Sequence, residues 1–66
     1  MPSTHDRKRL EDMIDRSSIE DVINAIAFIA AEKEDHIIHN WQDRATARAW
    51  GRAVTILERA ASQIEV

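Results

Sequence analysis

The chain has 66 residues, no cysteine and a formal net charge of −3 at pH 7. A domain of this size buries only about 60% of the surface that its unfolded chain exposes, so a disulfide, a metal or a partner subunit usually supplements its core. The missing cysteine excludes disulfides and thiolate metal sites and fits a reducing compartment. A hydrophobic share of 44%, a charged share of 32%, one Gly and one Pro predict a folded all-α protein.

The N-terminal segment, from about residue 4 to residue 15, is predicted to form a short helix. Leu10, Met13 and Ile14 share one face of it. The segment is too charged for a secretory signal peptide. The longest apolar run, Val22–Ala31, is interrupted by Asn24 and falls short of the roughly 20 residues that span a bilayer. We therefore expect a cytoplasmic protein without membrane association.

A second helix is predicted from about residue 18 to residue 39. Ser17 with Glu20, or Ser18 with Asp21, has the spacing of a capping box at its start. Its main apolar stripe consists of residues at helical spacing, namely Ile19, Val22, Ile23, Ile26, Ala30 and Ile37. Such a stripe needs a neighbouring helix to cover it.

A third helix is predicted from about residue 44 to residue 64, after a turn at about residues 40 to 43. At about 100° per residue, the apolar stripes of the second and third helices point half a turn apart, so only a break lets them meet. Asn40 and Asp43 are good N-cap residues for the third helix. Its apolar seam comprises Thr46, Trp50, Ala53, Leu57, Ala60, Ala61 and Ile64. The predicted fold is one all-α domain over residues 1–66, a helical hairpin preceded by a short helix.

The centre of the second helix is apolar on nearly every side, because Phe28 and Ile29 lie off its main stripe. A helix of this kind is normally buried all round, which one neighbouring helix cannot achieve. Two hairpins packed as a homodimeric four-helix bundle can achieve it. In the alternative, Phe28 packs under the N-terminal helix of its own chain. We expect a homodimer, with a different protein as a possible partner, and an interface formed by Ile26, Phe28, Ile29, Trp50, Ala53 and Leu57.

Several positions are unusual for such a bundle. Gly51 lies inside the third helix, where it costs about 1 kcal/mol relative to Ala, and it predicts a close approach of backbones. Lys33 and Glu34 interrupt the stripe of the second helix, so either the bundle opens to water there or they pair with charges on a neighbouring helix. Trp41 and Trp50 are expected to be core residues at the end of the hairpin.

A stripe of histidines and carboxylates is the candidate metal site. On an unbroken helix, Glu32, His36, His39 and Asp43 would fall within about 60° of one another, a spacing at which imidazole and carboxylate groups hold divalent ions. The predicted turn removes Asp43 from this line. We therefore interpret the stripe as a solvated face and expect no metal and no cofactor, with His36 and His39 as the residual candidates.

Arginines on the third helix are the candidate nucleic-acid site. Arg44, Arg48 and Arg52 repeat every four residues, with Arg59 on the same side, and guanidinium groups suit phosphates well. The chain from Arg44 onward carries a net charge of +2, whereas the preceding part carries −5. The overall negative charge opposes non-specific binding, so nucleic acid is a possible partner that we do not favour.

Acidic pairs permit an enzyme hypothesis. Asp12 with Asp15 and Glu32 with Asp35 have the spacing with which some all-α nucleotide pyrophosphohydrolases hold Mg²⁺. Acidic residues three apart are also common on any exposed helix, and no nucleophile arrangement or Gly-rich phosphate loop accompanies them. We therefore do not expect an enzyme.

The segment from Glu32-Lys33 through His36-Ile37 to Asn40-Trp41-Gln42-Asp43, followed by Ala47 and Trp50, resembles a pattern in very small bacterial proteins, including cyanobacterial ones. The resemblance covers about residues 17 to 61 and implies a helical hairpin. No activity, ligand or site residue comes with it. The function that we expect is a small non-catalytic interaction or regulatory module that self-associates; the alternative is a small dimeric nucleic-acid-binding regulator.

Overall fold

Three α-helices account for most of the computed structural model, which describes residues 1–40 and 43–66. They are α1 (Thr4–Arg16), α2 (Ile19–Asn40) and α3 (Arg44–Gln63), and the described residues contain no strand. The predicted all-α class is confirmed. The predicted turn at residues 40 to 43 falls partly outside the described residues, because Trp41 and Gln42 are not among them. The prediction that Trp41 is a core residue lies outside them as well.

Helix α1 begins with a reciprocal capping box. The Asp6 N–H donates to Ser3 Oγ at 3.1 Å, and the Ser3 N–H donates to Asp6 Oδ2 at 3.2 Å. Both bonds satisfy amide groups that have no partner inside the helix. At the other end, the N–H and the hydroxyl of Ser17 both donate to the carbonyl of Met13, which ends the helix. No residue of α1 is buried, so local bonds contribute most of its stability.

Capping side chains also begin α2 and α3. Ser18 Oγ accepts the N–H of Asp21 at 3.0 Å. Asp43 is the N-cap of α3, where one carboxylate oxygen accepts the Thr46 N–H at 3.0 Å and the other accepts the Thr46 hydroxyl at 2.7 Å. The hydrogen bond from the Thr46 hydroxyl, followed by that from the Thr46 N–H, lowers the pKa of Asp43 below its ordinary value of 3.8. Asn40 is the last residue of α2 rather than the start of α3.

The core between α2 and α3 is built from small side chains. The buried hydrophobic residues are Ala27, Ala30, Ala47 and Ala61, each no more than 4% exposed. No large side chain is fully buried within the described residues. Alanines let the two helices lie close together, but they remove little apolar area from water. The larger apolar residues therefore lie around this contact instead of inside it.

Helix α1 stands apart from the α2–α3 pair. It packs against α2 and, within the described part of the chain, makes no contact with α3. The radius of gyration is 13.6 Å, whereas a compact domain of this length has one of about 10.8 Å. The described helices include none that is long and apolar enough to cross a membrane. The shape is open because, within the described residues, α1 does not pack against α3, so the three helices do not enclose a common core.

The α2–α3 pair has two sides of different chemistry. The connection after Asn40 is too short to reach back along α2, so the two helices run antiparallel. At about 100° per residue from the buried alanines, helical phase places Ile26 and Leu57 on one side of the pair. The same count places Arg44 and Arg48 on the opposite side. We call these the apolar side and the basic side.

Candidate interaction surface

An open apolar groove of about 470 Å³ separates α1 from α2. Its apolar lining comes from both helices and consists of Leu10, Met13, Val22, Ala25, Ile26 and Ile29. Arg16, Ser17 and Asp21 line it as well, close to the connection between the helices. The groove exists because the apolar stripe of α1 faces α2 but α1 does not close against it.

The apolar residues of this groove are highly exposed. Ile29 is 53% exposed, Met13 45%, Ile26 42% and Leu10 36%. Isolated exposed aliphatic residues are common on protein surfaces, whereas large contiguous apolar patches are typical of interaction sites. The contiguity of these four side chains is therefore the feature that points to a binding surface.

The structure divides the predicted interface residues into three groups. Ile26 and Ile29 lie in the groove, and Trp50, Ala53 and Leu57 are half-buried along α3. Phe28 is 66% exposed and does not line the groove. The alternative in which Phe28 packs under the N-terminal helix is therefore wrong.

Leu10 and Met13 are not among the interface residues predicted from the sequence. Their helical spacing indicated an apolar face on α1, but the predicted interface did not include that face. The structure leaves Met13 and Leu10 exposed beside Ile26 and Ile29, because α1 contacts α2 along only a small part of its length. The groove thus extends the predicted interface onto a third helix.

The total surface of the chain is large for its mass. It is 5563 Å², whereas a folded monomer of 7.6 kDa is expected to expose about 4,300 Å². The excess is about 1,300 Å² per chain, and a standard interface buries about 800 Å² on each partner. The molecule therefore exposes enough additional surface to form a complete interface.

Glu34 and Gly51 meet on the basic side. A Cβ added to Gly51 would overlap the Glu34 carboxylate, with the Glu34 Cδ only 3.1 Å away. Gly51 thus leaves room for the Glu34 side chain. Glu34 lines an open groove together with Arg48 and Arg52. Within the described residues it forms no ion pair with either arginine.

The arginines of α3 lie on the surface. Arg44, Arg48, Arg52 and Arg59 are all exposed, and no ion pair joins any of them to a carboxylate in the part of the chain that the structure describes. The first three follow one another at intervals of one helical turn along the basic side. They form a ridge of exposed guanidinium groups.

The histidine stripe lies on α2 and bonds locally. His39 Nδ1 donates to the Asp35 carbonyl at 2.8 Å and lies 3.3 Å from the Asp35 carboxylate. The Asn40 amide donates to the His36 carbonyl at 2.9 Å and lies 3.1 Å from His36 Nδ1. No group of three or more His, Cys, Asp or Glu residues within the described ranges is arranged to hold a metal ion. The interpretation of this stripe as a solvated face stays a prediction.

Comparison with protein-family models, with curated proteins and with solved structures found no match for this chain. The resemblance to very small bacterial proteins therefore stays a prediction. The most distinctive surface feature of the described residues is the groove between α1 and α2.

Proposed function

We propose that this protein is a small non-catalytic interaction module that works by self-association, as a homodimeric four-helix bundle formed by two α2–α3 pairs. The observation that carries the proposal is the excess of exposed surface combined with a core that, within the described residues, contains only four buried alanines. A chain with so small a core gains little from folding alone. Association through the apolar side supplies the missing burial.

The distribution of apolar residues supports this proposal. Ile26 and Ile29 of α2 and the half-buried Leu57 of α3 lie on the apolar side of the pair. A second copy that packs on this side would convert a single layer of helices into two layers, the arrangement in which helical domains normally bury their apolar faces. The basic side would remain open to solvent in such a dimer.

The solution mass of the untagged chain tests the proposal. Light scattering after size exclusion, across a dilution series, is expected to give a mass near twice 7.6 kDa that falls towards the monomer mass on dilution. A folded monomer at every concentration, with helical circular dichroism retained, would overturn self-association. The apolar side would then be available to a different protein.

The alternative function is nucleic-acid binding through the basic side. The observation that favours it is the ridge formed by Arg44, Arg48 and Arg52, which has no ion-pair partner within the described residues. Contacts of arginine with phosphates release counterions, so binding of this kind weakens steeply as salt rises. The net charge of −3 opposes it, which is why self-association is the proposal that we prefer.

Retention on heparin or duplex DNA separates the two functions. Nucleic-acid binding predicts retention at low salt that is lost when Arg48 and Arg52 are both replaced by Gln. Replacement of Arg7 and Arg9, which lie on α1, is the matched control because it removes the same charge from another surface. Passage without retention at low salt would exclude the alternative.

A further inference from the structure

We propose that the groove between α1 and α2 is filled by a second copy of this chain, in an antiparallel arrangement in which α2 crosses α2 of the other copy around a two-fold axis between Ala27 and Phe28. This inference rests on the proposed self-association and specifies its geometry. The axis brings Ile26 of each copy against Ile29 of the other. Leu10 and Met13 form the outer wall of the groove and cover the inserted helix.

The antiparallel geometry follows from the positions of four residues along α2. Val22, Ile26, Ile29 and Lys33 follow one another at intervals of four, three and four residues and lie within about 60° on one face of the helix. This order of intervals is the same from either end. A stripe with that property is complementary to itself when the second copy runs in the opposite direction, as a two-fold interface requires. Alternating intervals of three and four residues also separate the apolar residues of coiled coils.

Charges at the ends of the stripe agree with the antiparallel direction. The axis brings Lys33 of one copy beside Val22 of the other, so that the lysine stem covers an apolar residue. Its ammonium group then reaches Asp21, which lines the same groove next to Val22. Within the described residues neither Lys33 nor Asp21 forms an ion pair in the single chain. In a parallel arrangement Lys33 would face Lys33, which is unfavourable.

The available area is sufficient for this arrangement. The excess of about 1,300 Å² per chain exceeds the roughly 800 Å² that each partner contributes to a standard interface. Four large apolar side chains of the groove are exposed and contribute to this area, with Ile29 at 53% and Met13 at 45% exposure. Lys33 and Asp21 lie at the ends of the stripe, where charged residues normally form the polar rim of an interface.

Cysteine cross-linking tests the relative direction of the two α2 helices. The chain has no native cysteine that could form a competing disulfide. The full-length variants Ile26→Cys and Ile29→Cys are oxidised separately and as an equimolar mixture under mild conditions. The antiparallel arrangement predicts that the disulfide between the two different variants forms faster than either disulfide between identical ones. Faster formation of the disulfides between identical variants would indicate a parallel contact and overturn the proposal.

The dissociation constants of substituted dimers, measured by dilution, test whether Ile26 and Ile29 form the interface. Replacing both Ile26 and Ile29 by Ser is expected to raise the dimer dissociation constant at least about 100-fold, because the proposed interface then loses four apolar side chains per dimer. Ile56→Ser is the matched control, since Ile56 is 64% exposed but lies on α3 outside the groove. Circular dichroism of each variant checks that the helices remain. If the variant with Ser at both positions forms a dimer as stable as that of Ile56→Ser, the proposal is overturned.

Charge reversal gives an independent readout. Lys33→Glu and Asp21→Lys are each expected to weaken the dimer about 3- to 10-fold, and their combination is expected to restore it. Failure of restoration would contradict the pairing of these two residues. These outcomes are distinct from failure of the proposed function. If the unmodified chain is a monomer, self-association itself is wrong; if it is a dimer that is insensitive to Ile26 and Ile29, only this geometry is wrong.

Discussion

The carboxylate of Glu34 in α2 occupies the space above Gly51 in α3 that the Cβ of any other residue would fill. The contact joins an acidic side chain, half-buried between two helices, to the only glycine of the chain. It explains why a residue that is unfavourable in a helix interior lies at the middle of α3. Glu34 and Gly51 therefore form a structural pair, and each position limits what the other tolerates.

A double-mutant cycle tests this pair. Gly51→Ala is expected to stabilise the Glu34→Ala background by about 1 kcal/mol, because alanine is the better helix former. In the unmodified protein the new methyl group must displace the Glu34 carboxylate, so the gain should be smaller by at least about 0.5 kcal/mol. Urea unfolding at one fixed protein concentration measures both. In a Glu32→Ala background, which leaves Glu34 in place, the smaller gain should persist; equal gains in all three backgrounds would disprove the pair.

The cap of α3 is expected to respond to acid. The pKa of Asp43 is lowered by hydrogen bonds from Thr46, so its contribution to stability is complete above the ordinary value of 3.8 and is lost as the pH falls through the lowered value. Asp43→Asn keeps a capping oxygen but does not titrate. Thermal unfolding should therefore show a steeper loss of stability below pH 3.8 for the unmodified protein than for this variant. Parallel curves would contradict the linkage.

The capping box of α1 is expected to act locally. Ser3→Ala removes the acceptor for the Asp6 N–H and should cost α1 about 1 kcal/mol. Since no residue of α1 is buried, the loss should appear as fraying of this helix while α2 and α3 keep their structure. Backbone chemical shifts measure it residue by residue. Ser3→Asn should preserve the helix, and fraying in that variant as well would mean that the cap is not the cause.

The alanine core is expected to reject larger side chains. Ala61→Leu, at a position only 2% exposed, should cost about 1–3 kcal/mol because the added atoms force α2 and α3 apart. Ala45→Leu places the same side chain on an exposed position of α3 and should change stability by no more than about 0.5 kcal/mol. Chemical denaturation at a single protein concentration compares the two. A similar cost at both positions would argue against a tight contact at Ala61.

Local chemistry let the sequence predict the three helices. Ser18 and Asp43 predict the starts of α2 and α3, because capping depends on residues only three positions apart. The structure shows a capping hydrogen bond at each of them. Periodicity likewise placed Ala30 and Ala61 on apolar faces, and both are buried. These features depend on short segments of the chain, so no knowledge of the fold was needed to find them.

The tertiary structure decided which apolar residues lie inside and which remain on the surface. Periodicity gives the direction of a side chain around its own helix axis, but it does not give the distance to the next helix. It therefore placed Ile26 on the main buried stripe and did not single out Ala27, whereas close packing of α2 on α3 buries Ala27 and leaves Ile26 42% exposed. The sequence pattern did not predict the groove between α1 and α2 either, because the angle between two helices depends on packing across their whole contact.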